Sequence, residues 1–410
     1  MVIPEGYKKT EIGIIPEDWD IGTVESFGFV VSGGTPSTTN SLYWNGNICW
    51  CTPTDIKATT TPKLCHTQKF ITEKGLADSS AVLLPINSLM ICTRATIGEI
   101  RINGLPMATN QGFKNIIVKN GDYLYLYYIL TTKKQKMIKL SYGTTFLELS
   151  KKALCTIPIQ IPKASEQHAI SNALYDIDIL IDNLEKLIVK KKNIKQGAMQ
   201  ELLTGKRRLH GFDGEWETIS IGESCDSIGG GTPSKQNVEW WQGDIPWISS
   251  SDLSENDIYR ISVSRYISRE ALIHSSTKLC PANCILLVSR VGIGKVAIAN
   301  TEICTSQDFT NLIPKYHDPV FLAYYLSRIM KEKSGSQGTS IKGITTTDIS
   351  KIKVVLPKRE EQEAIVSILS DMDNEIDELE KKLTKYRCLK QGMMSELLSG
   401  HIRLTEKEGA

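Results

Sequence analysis

The sequence has few cysteines, almost no net charge and no long apolar run. No stretch approaches the roughly 18 uninterrupted apolar residues of a membrane span, and the N-terminus lacks the apolar core of a secretion signal. Ten cysteines in 410 residues are too sparse for a disulfide scaffold. The 48 Lys and Arg residues balance 46 Asp and Glu residues, which neither demands nor forbids a polyanionic partner, because phosphates respond to local clusters of positive charge. We expect a soluble, cytoplasmic protein with reduced thiols.

The signatures of several catalytic sites are also missing. Cys49-x-Cys51 and Cys280-x3-Cys284 have no second Cys or His pair at ligand spacing, so no metal site is expected. There is no Pro-Pro pair, so the chain lacks the Asn-Pro-Pro-Tyr/Phe motif with which adenine methyltransferases hold a flipped base. Gly292-x-Gly294-Lys295 lacks the first glycine and the hydroxyl residue of a phosphate-binding loop. A hydrolase would need a nucleophile, a base and an orienting group, and the six histidines are scattered, so no catalytic residues are expected.

The chain consists of two copies of one unit of about 200 residues, a period that sets the architecture. Gly33-Gly34-Thr35-Pro36-Ser37 returns 197 residues later as Gly230-Gly231-Thr232-Pro233-Ser234. Arg94 and Arg290 are separated by 196 residues, and matched residues later in each copy are separated by 195. All seven tryptophans lie in this register. The length alone predicts two or three folded units, and the repeat divides the chain into two.

Each copy begins with a mostly β part. Short β-branched and aromatic runs alternate with Gly, Pro, Asn and Ser clusters, and short helices are predicted near Tyr123–Lys136 and Pro319–Lys333. The Gly-Gly-Thr-Pro-Ser segment is interpreted as a turn in which the glycines permit positive φ. Asp55-Ile56-Lys57 could mimic part of a nuclease metal site. Because its counterpart Asp252-Leu253-Ser254 lacks the lysine, a cap or turn is favoured.

Each copy ends in a long helix with a heptad seam. Spacings of three and four relate the apolar positions Ile170, Leu174, Ile177, Ile181, Leu184 and Ile188 in the first copy and Ile365, Leu369, Met372, Ile376, Leu379 and Leu383 in the second. The stretches Ala164–Thr204 and Arg359–Ser399 contain no proline, and each helix would be about 60 Å long. A lone helix cannot bury such a stripe. We therefore predict that the two helices pair antiparallel, with the basic run from Lys190 to Arg208 and the acidic Asp371–Glu380 segment helping to set the register. For the basic run, a solvated helix face and attraction to phosphates are the alternatives.

These features predict an α+β fold with two similar mixed α/β domains in tandem. Each domain is followed by a long helix, and the two helices form an antiparallel coiled coil in a pseudo-two-fold molecule. The expected boundaries are 1–163 and 211–358 for the domains, 164–210 for the first helix, and 359–410 for the second helix with its tail. The tail would lie before Tyr7–Trp19 as Gly205–Asp213 precedes Trp216. Two similar heads on a rigid spacer suit duplex DNA, whose faces recur about every 34 Å, or a bivalent protein partner.

Three groups of motifs resemble one known family. They are the opening Ile3-Pro4-Glu5-Gly6-Tyr7-Lys8 with Ile15-Pro16-Glu17-Asp18-Trp19, the twice-used Gly-Gly-Thr-Pro-Ser followed by Trp-x-Gly, and the twin Glu-Gln…Lys-Gln-Gly…Glu-Leu-Leu helices. The chain resembles, over nearly its whole length, the specificity subunit of type I restriction-modification systems. The resemblance implies two target-recognition domains that each read one half of a split DNA sequence. It also implies helices that space these domains and dock two modification (methyltransferase) subunits, which restriction subunits join.

Comparison of the copies suggests which residues touch DNA. Shared residues should form the frame or contact phosphate, whereas unmatched polar loops should read bases. The tryptophans are expected to pack, and Gln111 and Gln307, which could pair with adenine, are expected to bond the backbone instead. The shared candidates for phosphate contact are Thr35, Ser37, Arg94, Thr232, Ser234 and Arg290. For the two arginines, the alternative is that the guanidinium braces its own turn. The loop candidates are Thr54, Lys57, Gln68, Lys69, Tyr142, Thr144 and Thr145 in the first copy and Ser250, Asn256, Arg260, Arg265, Gln337, Thr339, Ser340 and Lys342 in the second. For any single one of these loop residues, a solvated position is the alternative.

The resemblance also assigns the cofactors to other chains. S-adenosylmethionine, ATP and Mg²⁺ would bind to the partner subunits and not to this chain. Within the same class, the alternative is the specificity subunit of a related system that cuts on both sides of its site. From another class, the alternative is a bivalent protein-binding coiled-coil scaffold that never meets nucleic acid.

Overall fold

The computed structural model describes residues 3–143, 147–336 and 343–404, apart from the side chains of 333–336. The chain forms two compact units, each described below by itself. Unit 1 comprises Met1–Leu187 and Glu380–Ala410, and unit 2 comprises Ile188–Leu379. Each unit contains the β-rich part of one copy and a segment of the long helix from both copies. In the described part of the chain, no helix has the length and apolarity that a membrane crossing would need.

Unit 1 is built on two main sheets. Its strands are β1 (Tyr7–Thr10), β2 (Gly13–Pro16), β3 (Asp20–Thr23), β4 (Gly28–Ser32), β5 (Trp44–Cys51), β6 (Lys63–Leu64), β7 (Lys69–Ile71), β8 (Leu89–Cys92), β9 (Ile100–Asn103), β10 (Met107–Thr109), β11 (Phe113–Val118) and β12 (Pro158–Ile161). Its helices are α1 (Val24–Phe27), α2 (Pro53–Ala58), α3 (Glu73–Ala77), α4 (Tyr123–Thr132), α5 (Lys134–Lys139), α6 (Lys151–Cys155) and α7 (Ala164–Leu202), which continues into unit 2. The sheet orders are β4-β11-β8-β9-β6 and β10-β5-β7, with the two-stranded ladders β1-β2 and β12-β3 beside them.

Unit 2 repeats this plan. Its strands are β13 (Glu217–Ser220), β14 (Cys225–Gly229), β15 (Ile245–Ile248), β16 (Arg265–Ile267), β17 (Leu279–Cys280), β18 (Ile285–Val288), β19 (Val296–Ile298), β20 (Ile303–Thr305), β21 (Phe309–Pro314) and β22 (Lys353–Leu356). Its helices are α8 (Ile221–Ser224), α9 (Arg269–His274), α10 (Pro319–Ser336), α11 (Thr346–Ser350) and α12 (Arg359–Ser399), which continues into unit 1. The sheet orders are β14-β21-β18-β19 and β16-β15-β20-β17, and β13 pairs with β22 as β3 pairs with β12.

The two short helices predicted before the loops at the end of each β part are present, but they differ in form. In unit 2 the segment is one helix, α10, whereas in unit 1 it is broken at Lys133 into α4 and α5. The hydroxyls of Thr131 and Thr132 donate to the carbonyls of Tyr128 and Ile129. Both threonines lie directly before the break, and such side-chain bonds compete with helical backbone bonds.

The core of each unit includes leucines from the helix of the other copy. In unit 1, Leu397 and Leu398 of α12 join a cluster that contains Tyr125 of α4. In unit 2, Leu202 and Leu203 at the end of α7 join a cluster that contains Tyr324 of α10. All of these side chains are buried, and full burial of a leucine contributes about 1.5–3 kcal/mol. Each β-rich part is therefore completed by a helix end from the opposite half of the sequence.

The long helices pair antiparallel, as predicted. In unit 1, Asp178 and Glu185 of α7 form ion pairs of 2.5 and 2.6 Å with Lys390 and Arg387 of α12. Ascending numbers on one helix thus meet descending numbers on the other. Most of the seam positions are buried, while Ile181, Met372 and Leu379 are half-buried.

Unit 2 shows the same antiparallel order between α7 and α12. Lys195 contacts both carboxylate oxygens of Asp373, and Lys191 lies 2.6 Å from Glu375. The basic end of α7 therefore faces the acidic part of α12, which is the charge arrangement expected from the sequence. These ion pairs fix one register, because a shift of one turn would separate every charge from its partner.

Each unit contains a Lys–Asp–Tyr triad whose members are buried or half-buried. The Tyr324 hydroxyl donates to Asp373 over 2.6 Å beside Lys195, and the Tyr128 hydroxyl donates to Asp178 over 2.8 Å. Burial, followed by the nearby Asp373 carboxylate, raises the pKa of Tyr324, so this phenol stays protonated and donates. The aspartate in each triad comes from one copy and the lysine from the other, so the triad joins the two copies within each unit.

The C-terminal tail packs against the start of the chain in unit 1. Arg403 forms a bidentate pair with Glu166, with distances of 2.7 and 2.9 Å, and lies over the ring of Trp19. In unit 2, Arg208 pairs with Glu361 in the same way beside Trp216. The expected placement of the tail is thus confirmed for Gly400–Leu404, while residues 405–410 lie outside the described part.

Candidate nucleic-acid interface

Four turns of unit 1 lie together at one edge of its sheets. They follow β4, β5, β8 and β10, and we call residues 33–37, 52–58, 93–98 and 110–112 turn cluster 1. Strands β4 and β8 both run antiparallel to β11, while β10 runs parallel to β5, so within each sheet the strands end at the same edge. Backbone bonds join the two sheets there, with Gly34 N donating to Thr109 O over 2.9 Å.

Unit 2 assembles the equivalent turns. Turn cluster 2 comprises residues 230–234, 249–253, 289–294 and 306–308, which follow β14, β15, β18 and β20. The amide of Gly231 donates to Thr305 O over 2.8 Å, and the amide of Ser306 donates to Ile248 O over 2.9 Å. The two clusters therefore share their backbone frame.

The glycines of Gly-Gly-Thr-Pro-Ser are required by close packing. A Cβ on Gly33 would lie 1.9 Å from Asn110 O, and one on Gly34 would lie 2.3 Å from Ala81 N. Neither residue has positive φ, so the interpretation of these glycines through positive φ is wrong. The turn passes too close to neighbouring backbone for any side chain to fit.

Paired tryptophans hold each Gly-Gly-Thr-Pro-Ser turn. Trp50 Nε1 donates to Gly34 O and Trp44 Nε1 donates to Ser37 O, both over 3.0 Å. The two rings meet edge to face with centroids 5.0 Å apart. Trp247 and Trp241 hold the second turn through equivalent bonds. The tryptophans therefore pack, as expected, and position the polar residues of the turn.

Each turn threonine bonds a glutamine across its cluster. The hydroxyl of Thr35 donates to the side-chain carbonyl of Gln111, and that of Thr232 donates to Gln307. The expected bond from glutamine to backbone is therefore wrong, since the partner is a side chain. Both glutamines are exposed. With the carbonyl oxygen occupied, the amide Nε2 is the group that each glutamine offers to a phosphate or a base acceptor.

The two arginines that follow β8 and β18 have different surroundings. Arg94 donates through Nε and Nη2 to Glu148, at 2.9 and 2.7 Å, and the side chain of Lys114 lies 3.4 Å from the same carboxylate. The hydrogen bond from Arg94 is the largest cause that lowers the pKa of Glu148 below its ordinary value. Arg290 is exposed and has no acidic partner among the described residues. Ser37 and Ser234 lie where the tryptophans hold their turns, because their backbone carbonyls accept the bonds from Trp44 and Trp241.

The aspartates that resembled part of a nuclease site are caps. Asp55 accepts from the Thr52 amide over 2.8 Å at the start of α2, and Asp252 accepts from the Ser249 amide over 2.7 Å. This outcome confirms the structural interpretation. Thr54 and Lys57 lie on α2 within cluster 1. The backbone amide of Gln68 donates to the carboxylate of Asp55 over 2.9 Å.

Lys69 and Arg265, treated as unmatched from the sequence, occupy equivalent positions. Lys69 of β7 pairs with Trp50, and Arg265 of β16 pairs with Trp247. The matching segments Lys69-Phe70-Ile71 and Arg265-Tyr266-Ile267 were the missed signal. The side chains have different roles: Lys69 is exposed, whereas Arg265 pairs with Asp252 and lies 4.6 Å from the centroid of the Trp247 ring.

The remaining second-copy candidates divide between the cluster and its surroundings. Ser250 lies in cluster 2, where its carbonyl accepts from Lys295 over 3.3 Å; the sequence did not suggest this lysine as a brace. Asn256 accepts from Lys331 of α10 over 3.0 Å, outside the four turns. Arg260 is exposed on the same connection between β15 and β16.

The remaining loop candidates lie on the segments after α5 and α10. Tyr142 is exposed and pairs through its backbone with Glu148. The other candidates on these segments, Thr144, Thr145, Gln337, Thr339, Ser340 and Lys342, lie outside the described residues.

Comparison with known proteins agrees with these features. The family model described as "Type I restriction modification DNA specificity domain" matches residues 16–194 and again residues 213–385. The chain is 26% identical over 424 residues to the type I restriction enzyme MjaIX specificity subunit of Methanocaldococcus jannaschii, covering 98% of this chain and 97% of that protein. It is 30% identical over 283 residues to the EcoR124I/EcoR124II specificity subunit of Escherichia coli, covering 65% of this chain and 67% of that protein.

A solved structure has the same fold. The type I restriction-modification S subunit from M. genitalium aligns with a TM-score of 0.61 at 16% identity, over 92% of this chain and 96% of that one. The family match spans both copies of the repeat, including most of each long helix. The chain therefore belongs to the type I restriction modification DNA specificity domain family and is a specificity subunit with two recognition domains.

Proposed function

We propose that this chain reads a bipartite DNA target, with turn cluster 1 contacting one half-site and turn cluster 2 the other. The chain itself catalyses nothing. Its paired helices dock two adenine-methyltransferase subunits, and restriction subunits join the complex through them. In this proposal S-adenosylmethionine, ATP and Mg²⁺ bind to those partners, and the complex works in the cytoplasm.

The observation that carries the proposal is the pair of matched clusters with unlike exposed residues. Both use the same turn, tryptophan pair and Thr–Gln bond as a frame. The exposed side chains on this frame differ, since Lys69 of unit 1 stands where unit 2 has the paired Arg265. A common frame with different contact residues is what two readers of different half-sites need.

The polar groups of the clusters suit DNA. The Nε2 donors of Gln111 and Gln307 can bond acceptors on bases or phosphates, and the guanidinium of Arg290 can bond phosphate. Exposed Lys57 and Lys69 add positive charge beside cluster 1. We assign Thr35, Ser37, Thr232 and Ser234 to the phosphate backbone and the loop candidates to base contact.

A salt titration tests whether the chain binds DNA at all. The full chain, alone and with its modification subunits, is mixed with duplex DNA at salt concentrations from about 50 to 200 mM. If six to ten phosphates are contacted, the affinity falls by roughly 10³ to 10⁵ over this range. A bivalent protein scaffold would bind no duplex at any salt concentration, which would refute the proposal.

Methylation mapping tests the division of the target between the units. Methylated adenines are mapped in a host that carries the complex, before and after residues 1–163 are replaced by the corresponding domain of a relative. We expect one half of the motif to change while the other half stays the same. Replacement of residues 211–358 is the matched control and should change only the other half. If either exchange altered both halves or neither, the assignment of one unit to one half-site would be wrong.

A further inference from the structure

Among the residues of unit 2 that the structure describes, the pair Arg94–Glu148 has no equivalent. Backbone bonds align the two sites: Leu149 N donates to Thr93 O over 3.0 Å, and Ile344 N donates to Ser289 O over 2.7 Å. The residue before each of these amides is Glu148 in unit 1 and Gly343 in unit 2. A Cβ on Gly343 would lie 3.5 Å from Cγ of Arg290, so the position of Glu148 corresponds to space beside Arg290.

Unit 2 offers no substitute for the missing carboxylate. Arg290 has no acidic partner among the described residues, and residues 337–342, which precede Gly343, contain no Asp or Glu. The position of Lys114 is taken in unit 2 by Thr310, whose hydroxyl bonds Ser289 over 3.1 Å. The guanidinium of Arg290 is therefore exposed, whereas that of Arg94 is occupied.

Glu148 occupies donors of Arg94 that a phosphate would otherwise use. Nε and Nη2 both donate to one oxygen of the Glu148 carboxylate, and a guanidinium makes the same kind of charge-assisted bond to carboxylate and to phosphate oxygens. The pair is accessible to a competing anion, since the side chains of Arg94 and Glu148 are 47% and 33% exposed. Lys114 stabilises the carboxylate from the other side. The two sites therefore differ in the donors that their arginines can offer.

We propose that Glu148 is a built-in competitor of the DNA phosphate for Arg94, so that cluster 1 binds the backbone more weakly than cluster 2, where no described carboxylate competes for Arg290. This inference rests on the proposed function. It predicts that the two arginines, although equivalent in the repeat, contribute unequally to DNA binding. It also predicts that removing the charge of Glu148 strengthens binding, whereas a purely structural ion pair would make its removal neutral or harmful.

The test compares charge variants in the full chain with its modification subunits, using a duplex that carries the methylated motif. We expect Glu148→Gln to raise the affinity several-fold at low salt and to steepen the slope of log K against log salt by up to about 0.9, the value for one added phosphate contact. Arg290→Met should lower the affinity and flatten the slope by about the same amount. Arg94→Met should change little by itself, but in the double variant it should abolish the gain caused by Glu148→Gln.

Asp78→Asn is the matched control. This variant also removes one negative charge from unit 1. Asp78 pairs with exposed Lys74 and accepts from the Tyr43 hydroxyl, and it therefore lies near the start of β5, whereas cluster 1 follows the end of that strand. We expect it to leave both affinity and slope unchanged. Thermal unfolding of each variant checks folding, and Glu148→Ala repeats the test with a different side chain.

The outcomes separate this inference from the proposed function. If Arg94→Met and Arg290→Met cost the same, or if both Glu148 variants bind no better than the wild type, Glu148 is a structural brace and the inference is wrong. The proposed function would stand in that case, because the wild-type chain would still show salt-dependent binding. If the wild-type complex binds no duplex, the proposed function itself fails.

Discussion

Replacement of Lys195 by methionine should destabilise unit 2. The Lys195 and Asp373 side chains are only 9% and 15% exposed. Methionine keeps the apolar stem but leaves the Asp373 carboxylate without its cation. Breaking a buried pair in this way costs about 3–5 kcal/mol. Because Tyr324 still donates to Asp373, we expect about 3 kcal/mol.

The equivalent change in unit 1 calibrates this value. Lys390 is 26% exposed beside Asp178 at 9%, so water can partly replace the lost cation. Lys390→Met should therefore cost less, about 2 kcal/mol. Lys190→Met, at an exposed position of the same basic run, should stay within about 0.5 kcal/mol of the wild type.

Urea and thermal unfolding of the full chain, followed by tryptophan fluorescence and circular dichroism, measure these differences. A loss of about 3 kcal/mol corresponds to roughly 6–12 °C in midpoint for a unit of this size. A double-mutant cycle with Asp373→Asn isolates the pair, and the double variant should recover much of the loss. A cost below about 1 kcal/mol for Lys195→Met, or no coupling in the cycle, would refute a register-fixing role for the pair.

Three further changes test the tail and the turn. Arg403→Met should destabilise unit 1 by about 2–3 kcal/mol, measured by thermal unfolding, because the Glu166 side chain is only 2% exposed and would lose its bidentate partner. The bond from Arg403 lowers the pKa of Asp18, so this carboxylate stabilises the fold above its ordinary pKa and loses that effect as the pH falls through the lowered value. Thermal midpoints between about pH 7 and pH 3 should therefore fall less steeply for Asp18→Asn than for the wild type. Gly231→Ala places a Cβ 2.3 Å from Ser276 O and should cost about 1–3 kcal/mol in urea unfolding, whereas Gly229→Ala, with open space around it, should cost much less.

Several features of the chain follow from local sequence pattern. The offset of 197 to 195 residues reveals two copies, and heptad spacing reveals two long helices with matching seams. The register-setting charges on α7 and α12 are also visible as a basic run and an acidic segment. These signals depend on periodicity along one chain segment, which the amino-acid order specifies directly.

The surroundings of individual side chains were not predictable in the same way. Arg94 and Arg290 are matched in the sequence, yet Arg94 forms an ion pair with Glu148, whereas Arg290 lies beside Gly343. Likewise, Lys69 and Arg265 proved equivalent only through their pairing with tryptophans on adjacent strands. Each of these relations joins residues that are distant in the chain.

The sequence by itself therefore determined the repeat, the helices and their antiparallel pairing. Only the tertiary structure decided which individual lysine meets which aspartate, that Arg403 pairs with Glu166 over the Trp19 ring, and which turn residues share an edge. The physical reason is that periodic burial acts over neighbouring residues of one helix. Hydrogen bonds and ion pairs act over about 3 Å, and they form between whichever groups the packed chain brings within that distance.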